Sequence, residues 1–297
     1  MLTPFISEFN DYCKNLNLAQ NSIKELVRYI NQLNIFLKDY PLKEVKYLTY
    51  KHLIYYVIHD APKATTIKMR IWALKKFFAF LHLQDYIKEN IANELKTPKI
   101  PKKETAFLNN NELKIIIEYL IKNLNKSNGW RDFLIILLMA VCGLRKSSVV
   151  AIDKTDFDQQ NKCIFISEKG NADKRPIYIP LAVLLLLKEY IRRFNIKEGP
   201  LFVNKRKNRM SPDGVNKIIG QLKTELLNAG HDFAIRLHPH LFRHSAATQL
   251  TEIAGFTVTK DILGHRNVQN TRKYIHLSPT FYGQYMKRHP YFKLKEV

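Results

Sequence analysis

Thr97-Pro98-Lys99-Ile100-Pro101-Lys102-Lys103-Glu104 separates two unlike halves of the chain. Its two prolines and three lysines, with no periodic apolar face, make a stiff and extended connector. We therefore expect a helical domain over residues 1–96, a linker over 97–106 and a second domain over 107–297. The chain has 297 residues, 46% of them hydrophobic, enough to supply a core for each.

Working outward toward the N-terminus, only helical patterns occur. Thr3-Pro4 reads as an N-cap with proline at the first helical position, opening a segment to about residue 16. Ser22-Ile23-Lys24-Glu25 has the form of a capping box, ahead of Ile23, Leu26, Ile30, Leu33 and Leu37 at helical spacing. Further helices are expected over 49–58 and 65–83. The last interleaves Lys68, Arg70, Lys75 and Lys76 with Ile67, Ile71, Leu74, Phe77 and Phe80. A basic stripe beside an apolar one serves either as a solvated face over a core or as a contact to DNA.

Toward the C-terminus the patterns are mixed. Helices are expected at 110–125 and 129–142. Cys163-Ile164-Phe165-Ile166-Ser167 and Arg175-Pro176-Ile177-Tyr178-Ile179 then read as two strands around Gly170-Asn171. Seven residues intervene, more than a tight turn needs. Helices follow at about 181–194, 212–228, 241–253, 257–263 and 267–275, with a last one near 279–287. The fold class is thus mainly α with a small antiparallel β-sheet: a helical bundle first, then a mixed α+β domain.

Charge narrows the partner. Lys and Arg outnumber Asp and Glu by 48 to 26, a formal net charge of +22. Both halves share the excess, with 15 against 9 up to residue 100 and 33 against 17 beyond it. A polyanion is the expected partner, and two basic halves joined by a linker could close on one duplex. A membrane surface fits less well. The longest apolar run, Phe133 to Leu144, covers only 12 residues, the size of a buried helix. The first residues carry no secretory pattern, and three cysteines (Cys13, Cys142, Cys163) without metal-site spacing suit reduced thiols. We expect a cytoplasmic protein with no membrane segment.

Several residues could carry chemistry. Arg145 follows the apolar helix just after Gly143, where a guanidinium can either answer the helix dipole or reach a ligand. Arg243 lies three residues after His240, so one helical face carries both. Two converging arginines match the non-bridging oxygens of a phosphate and can stabilise a pentacoordinate transition state without a metal. Lys169 sits at the hairpin tip. A lysine among cations can act as a general acid, but Lys174 and Arg175 are close by, and position does not choose among them. His240 and His265 together offer a proton acceptor and a hydrogen-bond donor. Tyr274 is one of 15 tyrosines, placed nine residues after His265. A phenol is a weak nucleophile unless cations stabilise its phenolate-like form.

In this order the residues resemble the tyrosine recombinase (phage integrase) superfamily, with minimal Xer- and Cre-like members nearest in layout. Cys142-Gly143-Leu144-Arg145 is similar to the first arginine motif, and Glu168-Lys169-Gly170-Asn171 to the hairpin lysine motif. His238-Pro239-His240-Leu241-Phe242-Arg243-His244 is similar to the H-x-x-R box, and Leu263-Gly264-His265 with Tyr274 to the last histidine and nucleophile. One departure stands out: the usual acidic residue three positions after the first arginine is replaced by Ser148, which puts the support of Arg145 in question.

The resemblance implies a core-binding helical domain, a catalytic domain, and catalysis by Arg145, Lys169, His240, Arg243, His265 and the nucleophile Tyr274. It implies no cofactor and no metal. The partner would be a double-stranded recombination site, bound by a dimer per site and a tetramer in the synapse. Lys68, Arg70, Lys75, Lys76, Lys102, Lys103, Lys174 and Arg175 are the expected further DNA contacts. Tyr285-Met286-Lys287-Arg288-His289-Pro290 and the tail resemble a segment that docks on a neighbouring subunit. Two rival readings share much of this layout: a type IB topoisomerase that reseals the same strand, and a non-catalytic DNA-binding protein.

Overall fold

The computed structural model describes residues 1–42, 44–100, 106–167 and 174–263. Lys102, Lys103, Lys169, His265, Tyr274, the tail from Tyr285 and the helices expected at 267–275 and 279–287 lie outside the described residues. The chain divides into two compact units, Met1–Lys103 and Glu104–Val297.

The first unit is helical: α1 (Thr3–Asn15), α2 (Gln20–Phe36), α3 (Tyr50–Ile58) and α4 (Ala64–Leu83). Apolar residues three and four apart set the buried stripes, Ile6, Phe9 and Cys13 on α1 and Ile23, Leu26, Ile30 and Leu33 on α2. The α4 residues Leu74, Phe77, Phe78 and Leu81 complete the core, with the Phe9 and Phe77 rings edge to face at 5.2 Å.

Two expected caps are displaced. Helix α1 begins at Thr3 itself, with Leu2 in the cap position. The Thr3 hydroxyl instead accepts from Asn34 Nδ2 at 3.3 Å, while Asn34 Oδ1 takes the Leu2 N–H at 2.7 Å. A contact between helices has taken the group that the local pattern assigned to capping. Helix α2 likewise starts at Gln20, so Ser22 and Glu25 lie inside it, and Glu25 pairs with Arg28 at 2.6 Å. Thr49 does cap α3, in a box closed by His52.

The second unit starts with α5 (Asn110–Lys122), capped reciprocally by Asn109 and Glu112. Helix α6 (Gly129–Val141) buries every residue from Phe133 to Ala140, so the long apolar run is the centre of a core. Among the described residues no helix is long and apolar enough to cross a membrane. A short helix α7 (Lys146–Val150) and strand β1 (Phe157–Asp158) follow, both too brief to show a period in the sequence.

Strands β2 (Cys163–Ile166) and β3 (Arg175–Tyr178) complete an antiparallel sheet in the order β1-β2-β3. Ile164 pairs with Phe157 on one side and Ile177 on the other. Strand β3 is an edge, which accommodates Pro176 and its missing N–H. Helices α8 (Leu181–Arg193), α9 (Pro212–Asn228) and α10 (Pro239–Leu263) pack around α6 and the sheet. The two helices expected at 241–253 and 257–263 form one run broken at Gly255, where φ is 77° and ψ 172°.

Candidate functional site

The turn after α6 is built on Gly143. Its φ of +63° is a conformation that side chains oppose, and a Cβ there would sit 2.3 Å from Leu263 Cδ2. Glycine thus lets the turn approach the end of α10, and its carbonyl accepts from Arg243 Nη1. Two residues later Arg145, half-buried, holds the cap position of α7.

Helix α10 opens in a sequence suited to starting a helix. His238 Nδ1 accepts the Leu241 N–H at 2.8 Å, and Pro239 follows at the first helical position. His238 is therefore a cap, a role the sequence reading did not give it. His240 and Arg243 then share a face. Arg243 is 6% exposed and donates through Nη2 to the Leu263 carbonyl at 2.9 Å. One guanidinium thus joins the turn after α6 to the end of α10, two positions before His265.

His240 keeps an exposed edge, yet its pKa is lowered from the ordinary 6.5. Desolvation by the surrounding protein is the main cause, followed by the positive charges of His238, Arg243, Lys146 and Arg145. Those charges act on one imidazole, so the fold brings Arg145, His240 and Arg243 to one place. The His244 ring lies 6.3 Å from that of His240. A cleft of about 790 Å³ beside α5 and α9, lined by Tyr119, Arg131, Asp132 and Glu225, contains none of these groups. Among the described residues no group of three His, Cys, Asp or Glu side chains could hold a metal ion.

Around this centre other contacts fasten the parts. Ser148, 3% exposed, donates its hydroxyl to the Ser167 carbonyl at 3.0 Å. Lys174 reaches both oxygens of the buried Asp156 carboxylate, at 2.6 and 2.8 Å. Arg175 is half-buried and donates to the Ile262 carbonyl at 3.1 Å. Ser245, fully buried, accepts the Leu108 N–H at 2.7 Å and so anchors the start of this unit to α10. No pattern in the sequence distinguishes that serine from the others.

The expected DNA contacts on α4 separate. Lys68 and Lys76 are exposed and Lys75 is half-buried. Arg70 is not a surface cation: it is 9% exposed and lies over the Tyr56 ring at 4.9 Å. Its Nη1 donates to the carbonyls of Tyr56, Val57 and His59 at 2.8, 3.2 and 2.9 Å. Arg70 closes the C-terminus of α3, where the last carbonyls lack partners within the helix and favour a cation. The basic stripe contained one structural arginine, which spacing could not separate from its neighbours.

Comparison with known proteins places this arrangement. The phage integrase family model matches residues 106–280, more than half of the chain. The chain belongs to the phage integrase family. Within the phage integrase match fall Arg145, His240 and Arg243, together with Lys169, His265 and Tyr274. Membership gives the activity class, a tyrosine-type site-specific DNA recombinase. Similar relatives are the tyrosine recombinases XerC of Bacillus licheniformis and Bacillus subtilis, 27% and 28% identical, each match covering 96% of both chains.

Solved structures share the fold. The XerH site-specific recombinase bound to palindromic difH substrate superposes with a TM-score of 0.73 at 20% identity, covering 95% of this chain and 94% of that one. A lambda integrase dimer bound to a COC′ core site gives 0.70 at 14% identity, covering 92% and 94%.

Proposed function

We propose that this phage integrase family member cleaves and rejoins DNA through a covalent bond to Tyr274. The tyrosine oxygen attacks the scissile phosphate, forming an O–P bond and a 3′-phosphotyrosyl link. The P–O5′ bond breaks and leaves a free 5′-hydroxyl. Arg145 and Arg243 clamp the non-bridging oxygens and stabilise the pentacoordinate charge. His240 accepts the phenol proton, Lys169 donates one to the leaving 5′-oxygen, and His265 hydrogen-bonds the phosphate. The covalent link conserves the phosphodiester, so a 5′-hydroxyl from a partner duplex can reseal it through a Holliday junction.

What supports this reading is that Arg243, held between Gly143 and Leu263, shares a helix face with His240 and that Arg145 and Lys146 act on the same imidazole, whose pKa desolvation and these charges lower. The lowering favours the neutral imidazole, the form that accepts a proton, while the cations around it supply an anion site. The partner we infer is a double-stranded recombination site, bound by a dimer, with two dimers forming a tetrameric synapse. Segment 1–96 would act as the core-binding domain through Lys68, Lys75 and Lys76, with 97–106, including Lys102 and Lys103, as the linker and 107–297 as the catalytic domain. A cytoplasmic location agrees with three buried free cysteines, Cys13, Cys142 and Cys163.

A nicked suicide duplex carrying the native site tests the nucleophile. Wild type should give an SDS-stable protein–DNA adduct and Tyr274→Phe none. An adduct that persists in the variant would overturn the assignment.

A further inference from the structure

The last two described carbonyls of α10 each accept from a guanidinium, and the two guanidinium groups come from different parts of the chain. The Leu263 carbonyl accepts from Arg243 of the same helix at 2.9 Å, and the preceding carbonyl, Ile262, accepts from Arg175 at 3.1 Å. Ile262 and Leu263 are the last two described residues of α10, so both donors act where the described helix meets the segment that carries His265. We propose that Arg175 is a positioning residue for the recombinase reaction, fastening the root of the β2–β3 hairpin to the helix end that leads into His265.

The surroundings of Arg175 fit a strap. It is the first residue of β3, in register with Ile166 at the end of β2. Lys174 before it is held by both oxygens of Asp156, and Pro176 after it has a fixed φ. The backbone is therefore restrained on both sides, and the half-buried side chain spans to Ile262, three positions before His265.

The consequence rests on the catalytic roles proposed above. The hairpin carries the proposed acid for the leaving oxygen, and the segment after α10 carries His265 and the attacking Tyr274. These groups must meet opposite ends of one phosphodiester. Misplacement of reacting groups by about 1 Å can cost about 100-fold in rate. A strap between their carriers would set that distance without touching DNA.

The test uses the full chain with Arg175→Met, Arg175→Gln and Arg175→Lys. Affinity for the native-site duplex is measured against salt, and adduct formation is followed in single turnover at saturating duplex. We expect Arg175→Met to bind within about twofold of wild type, with an unchanged salt slope, and to form adduct about 30-fold more slowly. Gln is neutral but keeps an N–H donor, so it should recover part of the rate, as should Lys. Where Met impairs folding, the pair Gln and Lys decides: similar partial rates support the strap. Lost affinity, a salt slope smaller by about one and a normal saturated rate for Met and Gln would instead make Arg175 a phosphate contact. Wild type in the same assay tests the recombinase reading separately. Faster amide exchange at 256–263 in Arg175→Met is expected whatever the adduct yield, and unchanged exchange there would refute the strap.

Discussion

The hydroxyl of Ser148 donates to the carbonyl of Ser167 at 3.0 Å, joining the helix after Arg145 to the end of the strand that leads toward Lys169. The resemblance to the family leads us to expect an acid at this position. A serine donates where a carboxylate can only accept, so the substitution changes what the position can hold. Ser148→Ala should cost about 1–2 kcal/mol in denaturant unfolding, the usual effect of leaving a buried partner unsatisfied. Ser148→Asp should be less stable still, because it sets a carboxylate against a carbonyl oxygen. Restoration of full stability by Asp would show that the hydroxyl contact is dispensable.

Gly143 is the second structural requirement near Arg145. Alanine there must adopt φ near +63° and place a methyl 2.3 Å from Leu263 Cδ2. The backbone term is about 1 kcal/mol and overpacking adds about 1–3 kcal/mol. Adduct formation should fall further than stability, since the same turn offers the carbonyl that holds Arg243. Adding Leu263→Ala should relieve the clash and restore part of the activity. If the double variant is no more active than Gly143→Ala alone, the packing account fails.

On α4 the arginine and the lysines should separate in experiment. Arg70→Met should destabilise the first unit by about 2 kcal/mol, since three carbonyls at the end of α3 lose their donor. It should leave the salt dependence of DNA binding unchanged. Lys68→Gln and Lys76→Gln should behave oppositely, with unfolding unchanged and the slope of log affinity against log salt reduced by about one each. A normal melting curve with a reduced slope for Arg70→Met would return that residue to the DNA contacts.

The pattern of successes along the chain has a physical basis. The apolar run ending at Leu144 and the stripes of α2 and α4 were legible because burial imposes a period that survives in sequence. His240 and Arg243 were legible as a pair because one helical turn separates them. Helix α7 and strand β1, at five and two residues, are too short for a period and owe their form to neighbours. Thr3, Arg70, His238 and Ser245 escaped for a related reason. Each makes a polar contact whose partner is chosen by three-dimensional packing or by local capping, and neither the dipeptide Thr3-Pro4 nor a basic stripe records which contact wins.

His240 gives the last prediction, one of pH. The ring titrates near 6.5 when unfolded and lower in the fold, through desolvation and the nearby cations. Between those two values the unfolded chain binds more protons than the native one. Stability should therefore rise with pH across that window and level off above 6.5, and His240→Gln should flatten the rise. Adduct formation should follow the same sign if the neutral ring accepts the tyrosine proton. In single turnover on the suicide duplex, the acidic limb should lie below pH 6.5, with a plateau through neutrality. His240→Gln should lower the plateau by about 100-fold and remove the limb. A wild-type limb centred above pH 7, or one that survives in His240→Gln, would exclude His240 as the acceptor.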